Sequence, residues 1–345
     1  MKYLVTIKPL THNTNINTYG LLVELDWTKK QILRTLKFPA ANYTTRYSYM
    51  RSFVQGIAHY DNLLYLSLWN YVAVVDHDTF QIVDAFSHPL MSDNHGLFAT
   101  EQHLFICATA IDTLLCFKRH SYELQWAWRP DDAGIDQKLT MPRILSFLKR
   151  SGRIPGKIAG RLRIANSIKV PFAKAEYRGI DKKNSPYHNH HLNEVRQVGD
   201  RLLILSAKWN GRPRSPLIEL NLENMQSSFV TPIDEFHRPH DILLDSAGRI
   251  LVTESGNESV GCIRPDGTII HVRISNEHLF ARGIAESDAG YLVGLSYNRS
   301  LRSGPRHPFI KEYSKDFSET GDTFAFEDLY KSDVGGAIHN VYRVY

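Results

Sequence analysis

A short sequence phrase returns along this chain and limits what it can fold into. One copy contains an apolar run, Ile242–Leu244, an Asp-Ser-Ala-Gly turn and a second apolar run, Ile250–Thr253. Two short apolar runs on either side of such a turn predict a β-hairpin. In each copy a polar residue stands just before the first run. These residues are Gln55, His95, His240, Arg282 and His339, and a looser copy begins at His190 and His191.

Two weaker strands follow each hairpin, so that four short strands recur in roughly 40 residues, the period of a propeller blade. Complete units occupy residues 51–89, 90–129, 188–230, 236–275 and 278–327. Residues 3–39 supply three further strands, and Gly336–Tyr345 supplies one. We therefore predict an all-β fold, a six-bladed β-propeller in which the C-terminal strand completes the first blade. Closing the ring removes exposed sheet edges, whereas the alternative β-sandwich leaves the repeat unexplained.

One segment interrupts the repeat within the predicted single domain of residues 1–345. Residues 131–187 are rich in Lys and Arg, and apolar residues such as Ile144, Leu145 and Leu148 follow a helical spacing. We interpret this segment as a basic, partly helical insertion between blades 3 and 4. It can be a lid over one mouth of the ring, a docking arm for a protein partner, or a helix on an anionic membrane surface; we favour the first two. No aromatic residues are interleaved with the charges as in nucleic-acid platforms, so no nucleic-acid partner is expected.

Composition limits the class of protein further. The net charge is +5, and the three cysteines have no metal-site spacing, which favours buried thiols in a reducing compartment. The first residues turn polar too quickly for a signal peptide, and no apolar run reaches the ~20 residues that cross a bilayer. A cytoplasmic location is therefore expected. P-loop, dinucleotide-binding, serine-hydrolase and zincin motifs do not occur.

The repeated polar residue predicts a functional site on the propeller axis. One position of every inner strand faces the central channel, so residues far apart in sequence converge there. The predicted ring consists of His339, Gln55, His95, a residue of blade 4, His240 and Arg282. For blade 4 we favour His191, with His190 close behind it.

Converging imidazoles suit a divalent transition metal, Fe(II) or Zn foremost and Cu or Mn as further options. The predicted ligands are His95, His191, His240 and His339. The ring itself has no carboxylate, which argues against Ca²⁺ and Mg²⁺.

Other residues complete the predicted site. Arg282 is suited to hold an anionic substrate group, and Gln55 can ligate through oxygen or orient a water. Asp241 and Glu254 are candidates to fix a histidine tautomer, and His190 and Asn193 are further candidates for the site. The leading hypothesis is a metal-dependent lyase, isomerase or oxygenase that acts on a small anionic substrate. The alternatives are a metal-free His/Arg acid–base enzyme of the lyase or transferase type and a non-catalytic scaffold for protein partners.

Several short motifs carry a resemblance. His191-Leu-Asn193, Pro239-His240, Ser255-Gly256, Arg282-Gly283 and Gly294-Leu-Ser296 occur in this order. The pattern resembles a bacterial family of six-bladed propellers of largely unassigned function within the TolB/NHL-like group. The resemblance covers mainly residues 188–300, and this chain has Glu194 where that family usually has glycine. More distantly, axial histidines around a metal are similar to those of peptide α-amidating lyase and of the seven-bladed carotenoid oxygenases.

Overall fold

The chain forms a ring of six four-stranded antiparallel sheets, the blades of a β-propeller. This is a computed structural model that describes residues 1–9, 19–38, 53–130, 185, 188–275, 277–297, 307–327, 329 and 336–344. The inner strands of neighbouring blades contact one another around a closed circle. The predicted six-bladed propeller is therefore confirmed.

The strands are numbered in chain order. Blade 1 consists of β1 (Lys2–Pro9), β2 (Gly20–Asp26), β3 (Gln31–Phe38) and the last strand, β26 (Gly336–Arg343). Blade 2 consists of β4 (Gly56–Tyr60), β5 (Leu63–Ser67), β6 (Val72–Asp76) and β7 (Gln81–Phe86). Blade 3 consists of β8 (Asn94–Ala99), β9 (His103–Ala108), β10 (Thr113–Lys118) and β11 (Leu124–Trp128).

The second half repeats this arrangement. Blade 4 consists of β12 (Leu192–Val198), β13 (Arg201–Ser206), β15 (Leu217–Asn221) and β16 (Ser227–Phe229). Blade 5 consists of β18 (Pro239–Leu244), β19 (Ile250–Glu254), β20 (Ser259–Ile263) and β21 (Ile269–Arg273). Blade 6 consists of β22 (Leu279–Glu286), β23 (Gly290–Tyr297), β24 (Phe309–Ser314) and β25 (Glu319–Ala325). A two-stranded ribbon of β14 (Arg214–Ser215) and β17 (Phe236–His237) joins blades 4 and 5.

The C-terminal strand closes the ring as the sequence predicted. β26 pairs antiparallel with β1, with Val341 opposite Val5 and Arg343 opposite Tyr3. It is the innermost strand of blade 1, because it lies on the side of β1 away from β2. The last strand of the chain therefore contributes to the axis.

Hydrophobic cores fill the spaces between neighbouring blades. Tyr65 and Leu97, for example, belong to the cluster between blades 2 and 3. Inner strands such as β8 pack against a neighbour on each face and are therefore largely buried, whereas outer strands such as β7 are mostly exposed. The three cysteines, Cys107, Cys116 and Cys262, are buried free thiols, as their spacing predicted.

The Asp245–Gly248 turn shows how the hairpins form. Oδ1 of Asp245 accepts the backbone N–H groups of Ala247 at 3.0 Å and Arg249 at 2.8 Å. Gly248 takes a left-handed φ of +74°, which glycine adopts without steric cost. An Asp and a Gly at these positions thus set the link between β18 and β19.

The described residues include a 3-10 helix, Thr109–Ile111, but no α-helix. The basic helical insertion predicted at 131–187 lies outside them apart from Ser185, so its helical character has no support. Within the described part of the chain, no helix is long and apolar enough to cross a membrane.

Candidate functional site

A β-bulge interrupts the inner strand of every blade except the second. Each bulge places an extra residue on the inner strand, which bends the strand and re-aims a side chain. The polar residues at these bulges are His339, His95, Asn193, His240 and Arg282. In blade 2, Gln55 occupies the corresponding place directly before Gly56, the first residue of β4. The repeated polar position of the sequence is thus a repeated bulge position.

In blade 4 the bulge residue is Asn193, and not His191 as the sequence interpretation favoured. A second regularity agrees with this register. Two residues before the bulge residue, blades 3, 4 and 5 each have a left-handed residue. These are Asp93 (φ +49°), His191 (φ +59°) and Arg238 (φ +49°). His191 therefore belongs to the bend that leads the chain into β12.

From that bend His191 still reaches the polar side chains of the repeated position, which we call the axial cluster: His339, Gln55, His95, Asn193, His240 and Arg282. Its ring centroid lies 5.0 Å from that of His95, in an edge-on arrangement. The neighbouring His190 is fully buried, and its ring packs against Trp209 with centroids 4.1 Å apart. Of the two blade 4 histidines considered from sequence, His191 is the one beside His95.

Asp112 holds the loop that carries these histidines. This fully buried residue follows the 3-10 helix in blade 3, and its carboxylate accepts the backbone N–H groups of His190 and His191, each at 2.6 Å, and that of Asn189. Three N–H donors on one carboxylate fix the loop against the neighbouring blade. Sequence reasoning missed Asp112, because nothing in its local pattern indicates a partner in the next blade.

The imidazoles form a connected group with two cations at its ends. Nε2 of His188 lies 2.7 Å from Nδ1 of His191, and Nδ1 of His188 lies 3.3 Å from the Lys208 ammonium. On the other side, the rings of His95 and His339 have centroids 6.0 Å apart.

Arg282 fixes the hydrogen bonding of His339. Its NH1 group donates to Nε2 of His339 at 3.1 Å, so this nitrogen is an acceptor and the ring is neutral. Burial, followed by the positive charges of Lys8 and Arg282, lowers the pKa of His339 well below its usual value. Both the hydrogen bond and the local field therefore favour the neutral imidazole.

His240 is held as a neutral base. Its Nδ1 lies 2.9 Å from the carbonyl oxygen of Arg238 and 3.1 Å from the hydroxyl of Ser255. A carbonyl can only accept, so Nδ1 carries the proton and Nε2 has the lone pair. Burial, followed by the charge of Arg282, lowers the pKa of His240 well below its usual value.

Two charged residues of the site were not identified from the sequence. Lys8, at the end of β1, is 7% exposed, and its charge acts on both His240 and His339. Asp93 is buried, and its carboxylate lies 3.5 Å from Nε2 of His95. Asp93 is not one of the predicted ring positions, because it lies two residues before His95, but it places a carboxylate beside the histidines. Lys8 could have been noticed in the sequence, because it is a charged residue directly after the apolar strand Tyr3–Ile7.

The position after the bulge residue forms a second, acidic layer. Glu194 and Asp241 are each 1% exposed, and Arg196 bridges them, with NH1 2.7 Å from Glu194 Oε1 and NH2 3.2 Å from Asp241 Oδ1. Burial raises the pKa of both carboxyl groups, and the Arg196 guanidinium opposes this rise. The same position is glycine in blades 2, 3 and 6 (Gly56, Gly96 and Gly283) and asparagine (Asn340) in blade 1. A Cβ on Gly96 would collide with the Glu194 side chain.

The roles predicted for Asp241 and Glu254 need correction. The tautomer of His240 is set by the Arg238 carbonyl, while Asp241 accepts the backbone N–H groups of Ile242 and Ile284. Glu254 is fully buried and bonds with His271, with 2.6 Å between Oε1 and Nδ1. Its hydrogen bonds thus serve the outer part of blade 5, and neither carboxylate orients an axial ring.

The donor geometry gives the predicted metal centre no support. Among the described residues, no three His, Cys, Asp or Glu side chains are arranged so that they could hold a metal ion. Two of the four predicted ligands already use a ring nitrogen, His191 with His188 and His339 with Arg282. The site is a cluster of imidazoles beside cations, in which burial and nearby positive charge lower the pKa values of His240 and His339.

Fold and site together define the chain as a six-bladed β-propeller with a polar, histidine-rich axial cluster. No protein-family model matches the chain, and no curated protein matches it either.

Solved structures match over almost the whole chain. A protein of unknown function from Bacteroides caccae has a TM-score of 0.58 at 10% identity, covering 99% of each chain. A chain of a nidogen/laminin complex also has a TM-score of 0.58, at 9% identity, covering 99% of this chain and 97% of that one. A catalytically inactive virginiamycin B lyase from Staphylococcus aureus, with quinupristin, has a TM-score of 0.47 at 10% identity, covering 83% and 73%. At these identities the likenesses concern the fold alone.

Proposed function

We propose that the axial cluster binds a small anionic molecule and moves a proton on it without a metal ion, as a lyase or transferase would. One observation carries the proposal: the neutral bases His240 and His339 stand in the field of two cations, the buried Lys8 and the partly buried Arg282. This combination suits general acid–base chemistry on an anion.

The charges favour an anionic ligand. Lys8 and Arg282 act on the same imidazoles, and Lys208 extends the positive charge along His188. Asp93 lies beside His95 and offsets part of this charge. A partly buried guanidinium prefers carboxylate, sulfate or phosphate groups, because their oxygens replace the hydrogen bonds to water that it loses on burial.

The tautomer of His240 favours proton abstraction. Nε2 of His240 accepts the proton, the ring becomes an imidazolium, and negative charge develops on the bound molecule. The nearby Arg282 and Lys8 stabilise that charge more in the transition state than in the ground state. A depressed pKa keeps His240 unprotonated near neutral pH, so that it is ready to act as a base.

The metal-dependent hypothesis remains the competing proposal, with Fe(II) or Zn foremost, and a non-catalytic scaffold is the third. Elemental analysis of the purified protein tests the metal-dependent hypothesis. If the purified protein contains a stoichiometric transition metal and His240→Ala loses it, the metal-dependent proposal replaces the acid–base proposal.

Titration calorimetry against carboxylates, sulfates and phosphates tests the proposal. Arg282→Gln should weaken binding of the best anion by at least about 30-fold, since losing one partner of a charge pair that the bound anion buries costs about 2–5 kcal/mol. The exposed Arg264→Gln is the matched control and should bind normally. His240→Gln should keep the anion and lose turnover. Unchanged binding in Arg282→Gln would overturn the proposal.

A further inference from the structure

The amide oxygen of Asn193 is a buried hydrogen-bond acceptor for which the described residues provide no donor. Asn193 is 3% exposed, and its Nδ2 donates to the carbonyl oxygen of Pro239 at 2.7 Å. Its Oδ1 is buried and accepts no hydrogen bond from any residue that the structure describes. A buried acceptor without a donor is rare in folded proteins and needs an explanation.

The direction of this oxygen is fixed by its surroundings. Asn193 is the bulge residue of blade 4, in register with His240 and Arg282. Pro239, at the start of β18, holds the nitrogen side of the amide, so the oxygen cannot exchange places with it without losing that bond. Because Oδ1 is shielded from bulk solvent and Asn193 shares the bulge position of His240 and Arg282, we assign its donor to a group admitted to the axis.

A second amide is fixed in the same way. Nε2 of Gln55 donates to the carbonyl oxygen of Asn94 at 2.9 Å and contacts Asp93 Oδ1 at 3.3 Å. Both hydrogens of this amide are therefore committed to the protein, and its Oε1 is an acceptor.

The axial cluster is thus divided into two halves. Blades 1 and 6 contribute the cations Lys8 and Arg282, whereas blades 2, 4 and 5 contribute the acceptors Gln55 Oε1, Asn193 Oδ1 and His240 Nε2. A molecule that satisfies both halves has an anionic group at one end and hydrogen-bond donors elsewhere.

We propose that the bound anion is hydroxylated, as hydroxy acids, sugar acids and polyol phosphates are, and that Oδ1 of Asn193 accepts a hydrogen bond from one of its hydroxyl groups. This inference rests on the proposed anion site and names the substrate class for it. An ammonium donor is disfavoured, because Lys8, Arg282 and Lys208 already make the site positive and the available acceptors are neutral.

Matched ligand pairs test the inference with the wild-type protein. Glycerate is compared with propionate, gluconate with hexanoate, and glycerol 3-phosphate with propyl phosphate, by titration calorimetry at constant salt. In at least one pair the hydroxylated member should bind at least about 10-fold more tightly, because a site that bonds a hydroxyl discriminates against analogues without it. The carboxylate and phosphate pairs show which anionic group the site prefers. Equal affinities within all three pairs would overturn the inference.

A variant locates the preference. Asn193→Leu, which keeps the side-chain size, should reduce the hydroxyl preference to about 1-fold and leave the affinity of the hydroxyl-free partner within about 3-fold. A preference that persists in a folded Asn193→Leu protein contradicts the assignment to this residue. If that variant does not fold, Gln55→Leu serves as the second probe and should reduce the preference in the same direction.

Failure of this inference differs from failure of the proposed function. Anions that bind through Arg282 without a hydroxyl preference remove the inference alone. If no anion binds, or if Arg282→Gln binds all of them normally, the proposed function falls and the inference falls with it.

Discussion

The carboxylate of Asp112 in blade 3 accepts the backbone N–H of His191 in blade 4 at 2.6 Å. The same carboxylate also accepts the N–H groups of Asn189 and His190, so one side chain fixes the approach of this loop to the axis. Because the ring of His191 lies 5.0 Å from that of His95, the position of the imidazole cluster depends on this contact between blades.

Removing the acceptor tests this dependence. Asp112→Ala removes the acceptor of one buried and two partly buried N–H groups, and we expect a loss of about 3 kcal/mol in the free energy of unfolding. Urea denaturation followed by circular dichroism measures it. The hydrogen bond between His188 and His191 should also disappear from imidazole ¹⁵N spectra.

Asp61→Ala is the matched control. Asp61 has nearly the same left-handed φ, +52° against +48° for Asp112, but its side chain is exposed and forms an ion pair with Arg119. The loss there should stay within about 1 kcal/mol. Equal losses in the two variants would show that backbone strain, and not the loop contact, dominates.

The acidic layer below the histidines depends on Arg196. Arg196→Met leaves Glu194 and Asp241 as two buried carboxyl groups without a counter-charge, and we expect a loss of about 3–5 kcal/mol at pH 7.5. Their pKa values, already raised by burial, rise further in this variant.

The pH dependence separates this cause from lost packing. A raised carboxyl pKa means that the folded protein binds more protons than the unfolded one, so the destabilisation should shrink as the pH falls from 7.5 to 5. The exposed Arg201→Met should change the stability by less than about 1 kcal/mol at both values. A penalty in Arg196→Met that does not vary with pH would contradict the electrostatic explanation.

Gly283 lies where neighbouring inner strands meet. A Cβ at this position would lie 2.6 Å from the backbone nitrogen of Val341, and the residue has a φ of +76°. Gly283→Ala should therefore lose about 3 kcal/mol, which combines left-handed strain with overpacking. Thermal and urea unfolding measure the loss.

Gly267→Ala separates these two contributions. Its φ of +81° is nearly the same, but a Cβ there would have no atom within 4 Å. We expect a loss of only about 1 kcal/mol from strain. If the two variants lose the same stability, contact between the inner strands at Gly283 is not tight.

Acid should weaken the fold through His240 and His339. Their pKa values are depressed in the folded protein, so the unfolded chain takes up protons first as the pH falls. The stability that they contribute is complete above about pH 6.5, the usual histidine value, and is lost below it. The melting temperature should fall between pH 7 and pH 5, and His240→Gln should make this fall shallower.

His278→Gln is the control for that measurement, because His278 is exposed and its carboxylate neighbour is the Glu258 side chain, 3.7 Å away. It should leave the slope unchanged. A slope in His240→Gln as steep as that of the wild type would mean that other groups cause the acid sensitivity.

The repeat in the sequence correctly predicted the six blades and the closing strand β26. It also placed His95, His240, Arg282 and His339 at equivalent positions of their blades, and each of these positions is a bulge. These features could be predicted because they are local. A hairpin, its turn and the polar residue before it lie within one strand period, and every blade repeats them.

Other parts of the site depend on contacts between blades. Asn193 took the axial place in blade 4 because the bulge shifts the register there, while Asp112 holds His191 from the preceding blade. The sequence identified the polar residues of blade 4 but could not rank them, since a one-residue bulge leaves no distinct pattern.

The sequence by itself determined that this chain forms a closed ring of blades with histidines and an arginine at its centre. Only the tertiary structure decided that Lys8 and Asp93 join them and that His240 and His339 are neutral. The physical reason is distance. A blade is specified by neighbours along the chain, whereas charge, burial and tautomer depend on groups that meet only when the ring closes.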